Sequence, residues 1–294
     1  MDIPDFNWLN PKLNTVEIVT QKDFLKEQVS QWKKAGETIG FVPTMGALHE
    51  GHLDLVRQAK EQCRRVVVSI FVNPLQFNNA GDLAKYPRHL EADQHMLQNF
   101  GIDLLYAPSN EDFYTFQPLM YIDFGSVSAG LEGKMRPGHF SGVGIVVARL
   151  FHLVDPDFAY FGAKDLQQVA VIRTLVRDLD FPVRIVRCPT VREPGGLALS
   201  SRNARLSSNG KSLAENLYKA LQLTASAQAD GLKPSARKGV DFLAELGGIE
   251  VEYFHWVNTE TMEILESPAP LPNEKAICIA AWVEGVRLID NLIC

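Results

Sequence analysis

Residues 41–55, FVPTMGALHEGHLDL, join a strand pattern to a helix pattern, and this junction indicates the type of fold. The run TIGFV at 38–42 is short and apolar, as in a buried strand. Apolar residues downstream recur at helical spacing: Leu53, Val56, Ala59 and Cys63. Residues 65–72 are strand-like again. This order predicts two neighbouring parallel strands joined by a right-handed crossover.

The same alternation continues beyond this unit. The patterns predict strands at 102–106, 158–161 and 183–187, and helices at 142–153 and 165–179. We therefore expect an α/β fold, with a doubly wound parallel sheet and helices on both of its faces.

The character of the chain changes after Cys188. The segment TVREPGGLALSSRNARLSSNG is rich in Gly, Ser, Pro and Arg, which is typical of an exposed connection. Helical patterns at 212–228 and 236–246 follow, and strand-like runs at 250–257 and 275–282 close the chain. We predict two domains, 1–189 and a smaller α+β domain at 190–294.

Composition excludes several functional classes. The 294 residues are 46% hydrophobic and 22% charged, as in a globular protein. The net charge of -6 gives no basic footprint for nucleic acid. No apolar run approaches the roughly 20 residues of a membrane helix, and the first residues do not resemble a secretory signal. The four cysteines are widely separated, which favours a reducing, cytoplasmic setting.

The histidine pair in HEGH has three interpretations. Zinc proteases place two histidines four residues apart on one helix face, whereas His49 and His52 are three apart with Gly51 between them. Since no third ligand is suggested, we predict no metal site. The second interpretation is an anion site, and the third is a histidine that caps the helix beside a solvated one.

The anion interpretation follows from the position of the loop. A loop between a parallel strand and a helix presents backbone N–H groups and the positive end of the helix dipole. Gly46 and Gly51 let the backbone approach a phosphate, and the imidazoles of His49 and His52 can donate hydrogen bonds to it. Which imidazole plays which part stays open.

Three further cations are candidates for an anion site. Lys164 stands at a helix start, where the dipole disfavours a cation, so it either meets an anion or pairs with Asp165. Arg202 ends the segment LSSR, which is either a closing loop or a solvated linker. Arg136 either holds an anion or pairs with Glu132, one helical turn earlier.

Six blocks of sequence carry a family resemblance in the correct order: PTMGALHEGH, FVNPLQF, YPR, LEGKMRPGHFSGV, FGAKDLQQV and LALSSRNARLS. They resemble the blocks of the pantoate–β-alanine ligase family, the pantothenate synthetases, within the H-x-G-H adenylate-forming nucleotidyltransferases. The resemblance covers the first two-thirds of the chain and the interdomain loop. The last third resembles the family only in size and pattern.

The resemblance implies a two-step reaction. ATP and pantoate give pantoyl adenylate and pyrophosphate, and β-alanine then displaces AMP to give pantothenate. It also implies a Rossmann-like catalytic domain at 1–189, a lid at 190–294 and a homodimer. ATP is expected as a substrate with Mg²⁺, for which we predict no protein ligand, and no tightly bound cofactor is expected.

The resemblance also assigns residues. The catalytic residues that it implies are His52 (as the proton donor), His49, Lys164 and Arg202. The implied ATP contacts are Met45, Gly46, Ala47, Leu48, His49, Glu50, Gly51, His52, Gly162, Ala163, Lys164, Asp165, Val191, Leu199, Ser200, Ser201 and Arg202. Gln76 and Gln168 are the implied substrate contacts. The chain departs from the family's common Glu at Ala163 and from its frequent Met at Leu199.

Three other functions share some of these features. A nucleotide adenylyltransferase also carries H-x-G-H, but it would lack the paired glutamines and FVNPLQF. An aminoacyl-tRNA synthetase fragment is disfavoured because the acidic chain offers no tRNA surface. A nucleotide-sensing module would bind ATP without turnover, and the catalytic histidines and lysine would then have no function.

Overall fold

The computed structural model describes residues 16–229, 236–265 and 274–294. Its larger sheet is parallel and has the strand order β1-β4-β3-β2-β5-β6. The strands are β1 (Ile18–Val19), β2 (Ile39–Thr44), β3 (Arg65–Ile70), β4 (Leu104–Tyr106), β5 (Phe158–Gly162) and β6 (Arg184–Cys188). The predicted parallel sheet is confirmed, and the short β1 is an edge strand that the sequence patterns did not indicate.

Nine helices accompany this sheet in the described part of the chain. They are α1 (Lys22–Lys34), α2 (Glu50–Gln62), α3 (Ala80–Lys85), α4 (Leu90–Gln98), α5 (Asn110–Phe113), α6 (Ser126–Ala129), α7 (Leu131–Met135), α8 (His139–Val154) and α9 (Leu166–Asp178). Short 3-10 turns occupy Pro74–Gln76, Ala163–Asp165 and Ser201–Arg205.

Both faces of the parallel sheet are buried, which is why its strands are almost continuously apolar. In β3, Val67 packs into one core with α1, α8 and α9. Val66 and Val68 point to the other face, where they pack with Leu53 and Val56 of α2. Strand geometry turns successive side chains to opposite faces, so one apolar run supplies two cores.

The C-terminal part forms an antiparallel sheet in the order β7-β8-β9, with two helices. Its elements are α10 (Ser208–Ala229), α11 (Arg237–Leu246), β7 (Ile249–Asn258), β8 (Lys275–Val283) and β9 (Val286–Ile293). The parallel sheet ends at Cys188, just before the predicted boundary at 189/190, and the division into two domains stays a prediction.

The prediction that two strands close the chain is wrong, because a third strand follows. Strands β8 and β9 are joined by Glu284 and Gly285, which both have positive φ, 50° and 72°. That geometry is the two-residue turn that matches strand twist. The strand was missed because its polar residues Asp290 and Asn291 are of types depleted in strands.

A buried ion pair joins the two parts of the chain. The guanidinium of Arg287 in β9 donates to both carboxylate oxygens of Glu132 in α7, at 2.8 and 2.7 Å. Arg287 also pairs with Glu252, and the Tyr253 hydroxyl donates to Glu132 at 2.9 Å. Burial raises the pKa of Glu132, but the hydrogen bonds and charge of Arg287 more than offset this, so the pKa lies below its usual range.

No helix in the described ranges is both long enough and apolar enough to cross a bilayer.

Replacing Arg287 tests this junction. The Arg287→Ala variant leaves the Glu132 carboxylate buried without its cation, so we expect the free energy of unfolding to fall by about 3 kcal/mol. Urea unfolding followed by circular dichroism measures it. The matched control is Arg177→Ala, which removes an exposed pair with Asp178 and should leave stability nearly unchanged. Equal small effects would show that the buried pair does not hold the junction.

Candidate active site

The cleft lies where the order of the parallel strands reverses. Strands β2 and β5 are neighbours, through the pairs Gly40↔Phe158 and Phe41↔Ala159, yet the chain leaves them toward opposite halves of the sheet. Ligands of open α/β sheets bind beyond the carboxyl ends of the strands at such a point. The loop after β2 carries the two histidines, and the turn after β5 carries Lys164.

The two histidines cap α2 and hold each other in place. The Nδ1 atom of His49 accepts the N–H of Gly51 at 3.1 Å, and Nδ1 of His52 accepts the N–H of His49 at 3.3 Å. The ring centroids are 4.1 Å apart. A neutral imidazole that accepts at Nδ1 carries its hydrogen on Nε2. Each ring therefore caps the helix with one nitrogen and keeps an Nε2–H group to donate, which reconciles the capping and anion interpretations.

Both rings are neutral at pH 7. Burial, with a contribution from the charges of His49 and Lys164, lowers the pKa of His52 to about 3. Burial and the charge of Lys164 also lower the pKa of His49. The pair thus offers hydrogen-bond donors without a positive charge of its own.

The loop N–H groups expected to face a phosphate are already engaged. The N–H of Gly46 donates to Oγ1 of Thr44 at 3.2 Å. The N–H groups of Ala47 and Leu48 donate to the two carboxylate oxygens of Asp93, at 2.9 and 2.8 Å. Asp93 is only 2% exposed. The expectation of free N–H groups at these positions is therefore wrong, since a buried carboxylate of the chain itself occupies two of them.

Asp93 is the site residue that sequence reasoning missed. It lies in α4, far along the chain, and supports a turn in which Gly46 and Ala47 have positive φ, 81° and 51°. A side chain that holds backbone groups has no motif around it, so no local signal reveals it.

Cations surround the turn after β5. Lys164 is largely buried, and its Nζ lies 3.7 Å from the carboxylate of Asp165, which is 50% exposed. Partial desolvation by the protein around it raises the pKa of Asp165, but the charges of Lys164, Arg202 and Arg136 lower the pKa by more, so the net shift is downward. One carboxylate with three cations around it leaves an excess of positive charge. Pairing of Lys164 with Asp165 alone does not account for this cluster.

The segment 199–202 lies over the start of α2. A Cβ built on Gly51 would stand 3.9 Å from Cβ of Leu199. The N–H of Leu199 donates to the carbonyl of Val191 at 3.0 Å, which closes the base of the loop. Oγ of Ser200 accepts the N–H of Arg202 at 3.2 Å. Ser201 and Arg202 are exposed.

The two glutamines are placed differently. Gln76 is buried beside the histidine loop, and its amide donates to Sδ of Met45 at 3.0 Å and accepts from Asn73 at 3.1 Å. Gln168 is half-buried in the first turn of α9, four residues after Lys164. Its neighbour Gln167 is structural, because its amide donates to the carbonyls of Val127 and Gly130.

Arg136 does not use Glu132 as its partner, because Glu132 is bound by Arg287. Instead, Nη1 of Arg136 lies 3.1 Å from Nε2 of His139. Nδ1 of His139 donates to the carbonyl of Gln76 at 2.8 Å. The histidine is thus a buried spacer that holds Arg136 near the glutamine.

Comparison with known proteins identifies the family. The model of the pantoate-beta-alanine ligase family matches residues 17–293. The chain belongs to the pantoate–β-alanine ligase family. It is 49% identical to a pantothenate synthetase of Cytophaga hutchinsonii, over 94% of this chain and 98% of that one. It is 44% identical to a pantoate–β-alanine ligase of Schizosaccharomyces pombe, with the same coverage.

Solved structures of pantoate–β-alanine ligases share the fold. A pantothenate synthetase of Thermus thermophilus superposes with a TM-score of 0.86 at 43% identity, covering 94% of this chain and 99% of that one. A pantoate–β-alanine ligase of Francisella tularensis, complexed with beta-gamma ATP and beta-alanine, has a TM-score of 0.79 at 36% identity. It covers 95% of this chain and 97% of that one.

In this ligase, no group of three or more His, Cys, Asp or Glu side chains among the described residues is arranged to hold a metal ion. The structure brings His49, His52, Lys164, Arg202 and Gln76 to one cleft. The catalytic and substrate-binding roles that the family resemblance implies for these residues stay predictions.

The tautomers can be observed directly. We expect ¹⁵N NMR of the imidazole rings to show His49 and His52 as Nε2–H tautomers at pH 7, with His52 half-protonated only at about pH 3. An unfolded histidine titrates near pH 6.5, so the unfolded chain gains a proton between pH 6.5 and 3 that the folded His52 does not. Stability should therefore fall as the pH is lowered through this window. A proton on Nδ1 of either ring at pH 7 would contradict the capping geometry.

Proposed function

We propose that this chain condenses pantoate with β-alanine, driven by ATP, through a pantoyl-adenylate intermediate with release of pyrophosphate and AMP. One observation carries the proposal. Two neutral Nε2–H donors, His49 and His52, stand at the switch point of the sheet beside a cluster of cations around Asp165. That combination suits phosphate groups of ATP, and the family relative from F. tularensis was solved with beta-gamma ATP and beta-alanine.

In the first step, a carboxylate oxygen of pantoate attacks the α-phosphorus of ATP, and the bond from that phosphorus to the pyrophosphate oxygen breaks. Negative charge builds on the phosphoryl oxygens and on the leaving group. We assign the Nε2–H groups of His52 and His49 to these oxygens as hydrogen-bond donors. Preorganised donors of this kind supply most of the stabilisation in such reactions.

The neutrality of the rings has a mechanistic consequence. Because the pKa of His52 is about 3, the ring acts at pH 7 as a hydrogen-bond donor and not as an imidazolium. The positive charge comes from Lys164 and Arg202, which we assign to the phosphates of ATP. Hydrogen-bond donation and positive charge therefore come from different groups. The helix cap fixes the orientation of the imidazole donors, and two other segments of the chain supply the charge.

The remaining ATP contacts are assigned to segments that line the same cleft. We assign ATP to the segments Met45–His52, Gly162–Asp165 and Leu199–Arg202, with Val191 at the base of the loop. Since the N–H groups of Ala47 and Leu48 are bound to Asp93, the contacts of the first segment are proposed for the imidazoles.

Pantoate is assigned to Gln76 and Gln168, because an amide both donates to and accepts from a hydroxy acid. In the second step, the amine of β-alanine attacks the acyl carbon of the adenylate. The bond from that carbon to the phosphate oxygen breaks, AMP leaves, and the amine loses a proton.

The assembly is also a proposal. ATP enters as its Mg²⁺ complex, as triphosphates do, and no resident cofactor is proposed. Residues 190–294 act as a lid on 1–189. A homodimer is supported by four exposed apolar side chains on one segment: Phe116 (85%), Leu119 (99%), Met120 (63%) and Tyr121 (69%). Four free cysteines support a cytoplasmic location.

Isotope exchange between ATP and pyrophosphate tests the function. Adenylation is reversible, so we expect exchange with pantoate present and β-alanine absent. Nicotinate mononucleotide and amino acids should give none. Exchange with nicotinate mononucleotide would instead indicate a nucleotide adenylyltransferase. Absence of exchange with any carboxylate would indicate a module that only binds nucleotide.

Replacing the histidines tests their assignment. We expect His52→Ala and His49→Ala each to slow pantoate-dependent exchange by about 10²-fold or more, the loss typical of one oxyanion donor. The control His152→Ala removes a ring at the end of α8, packed on Phe181, and should leave the rate nearly unchanged. Near-normal exchange in both motif variants would contradict the assignment.

A further inference from the structure

Two polar residues of β9 are buried where the C-terminal sheet meets the cleft. Asp290 is 5% exposed and Asn291 is 4% exposed. Buried polar groups are costly unless they are bonded, and β9 is the edge strand of its sheet, so the burial of this pair needs an explanation. No role assigned so far to the reaction uses either residue.

Asn291 binds the backbone that carries Lys164. Its Nδ2 group donates to the carbonyl of Ala163 at 2.8 Å and to the carbonyl of Lys164 at 2.9 Å. The turn Ala163–Asp165 has no side-chain cap of its own. Both amide hydrogens are thus used to hold the one turn that aims the lysine into the cleft.

Asp290 binds the base of the loop that carries Arg202. Its carboxylate accepts two hydrogen bonds from the guanidinium of Arg192, at 2.6 and 2.9 Å. Arg192 also donates to the carbonyl of Gly196 at 3.0 Å and lies 3.6 Å above the ring of Tyr218. A buried bidentate pair therefore holds the hairpin of residues 192–198, and this hairpin leads directly into segment 199–202.

The alternation of the strand explains how one short stretch reaches both segments. Side chains next to each other in a strand point to opposite faces. Val286 and Leu288 share the face of Asp290 and pack against α10, whereas Ile293, on the face of Asn291, contacts the cluster that includes Leu166. The two faces of β9 therefore touch the two cation-bearing segments.

We propose that Asn291 and Asp290 are positioning residues for the reaction, Asn291 acting through Lys164 and Asp290 through Arg202. Adjacent residues of one strand set the separation of the two cations that meet ATP. Displacement of a catalytic group by about 1 Å can slow a reaction about 10²-fold. This inference rests on the roles proposed above for Lys164 and Arg202.

A double-mutant cycle tests whether Asn291 acts through Lys164. We expect Asn291→Ala to slow pantoate-dependent exchange by about 10- to 100-fold in the otherwise unchanged chain, and by less than about 3-fold in the Lys164→Ala background. The dissociation constant of MgATP, measured by calorimetry on the same four proteins, gives a second cycle that needs no turnover. An equal loss in both backgrounds, in either readout, would show that Asn291 is merely structural and would overturn the inference.

Two variants sharpen the result. Asn291→Asp keeps the shape but faces two carbonyl oxygens with a carboxylate, so it should be at least as slow as Asn291→Ala. Asn258→Ala removes another buried asparagine of the same sheet, which caps the turn at Glu260 and Thr261. It should lower the unfolding temperature yet leave exchange within about twofold. Full activity of Asn291→Asp would overturn the inference.

The proposal that Asp290 acts through Arg202 is tested in the same way. Asp290→Asn removes the charge that holds Arg192, and its effect on exchange should largely vanish in the Arg202→Ala background. If Lys164→Ala and Arg202→Ala exchange normally, the roles proposed for those cations fail. If they are impaired while Asn291→Ala and Asp290→Asn are not, only the positioning inference fails.

Discussion

Pairing of β2 with β5 is the constraint on which the cleft depends. Two strands far apart in the chain lie side by side through Gly40↔Phe158 and Phe41↔Ala159, and their carboxyl ends point the same way. Gly40 also lets the end of α2 pack closely on β2, because a Cβ there would stand 2.9 Å from Sγ of Cys63. This strand pairing brings the histidine turn and the lysine turn together. No direct contact between their side chains is needed.

Within the cleft, hydrogen bonding decides what each group offers. Backbone N–H groups of the β2 loop are bound by Thr44, Asp93 and the two Nδ1 atoms, so the loop presents imidazole Nε2–H groups in place of its own amides. A side-chain donor fixed by a helix cap is rigid, since its orientation follows the helix. The charge is contributed separately, by Lys164, Arg202 and Arg136.

The C-terminal sheet is more than a cover for this cleft. A five-residue stretch of β9 contains three side chains that bind groups outside the sheet. Arg287 binds the carboxylate of Glu132, Asp290 binds the guanidinium of Arg192, and Asn291 binds the carbonyls of Ala163 and Lys164. Each contact is buried and either charged or bidentate, and such bonds are the strong ones. Folding of the last strand is therefore coupled to the geometry of the lysine turn.

Periodicity and contiguous motifs are local properties, so the amino-acid sequence alone predicts the alternation of strands and helices, the strand-to-helix position of HEGH and the family. Only the packed structure shows the burial that lowers the pKa of His49 and His52, the anchoring of the loop by Asp93 and the polar contacts of β9. The bonds of Asp93 and β9 join residues tens to more than a hundred positions apart, and burial follows from the packing of distant segments, so no local pattern encodes them. An aspartate on a helix or in a strand has the same local signature whether it is solvated or holds a backbone turn.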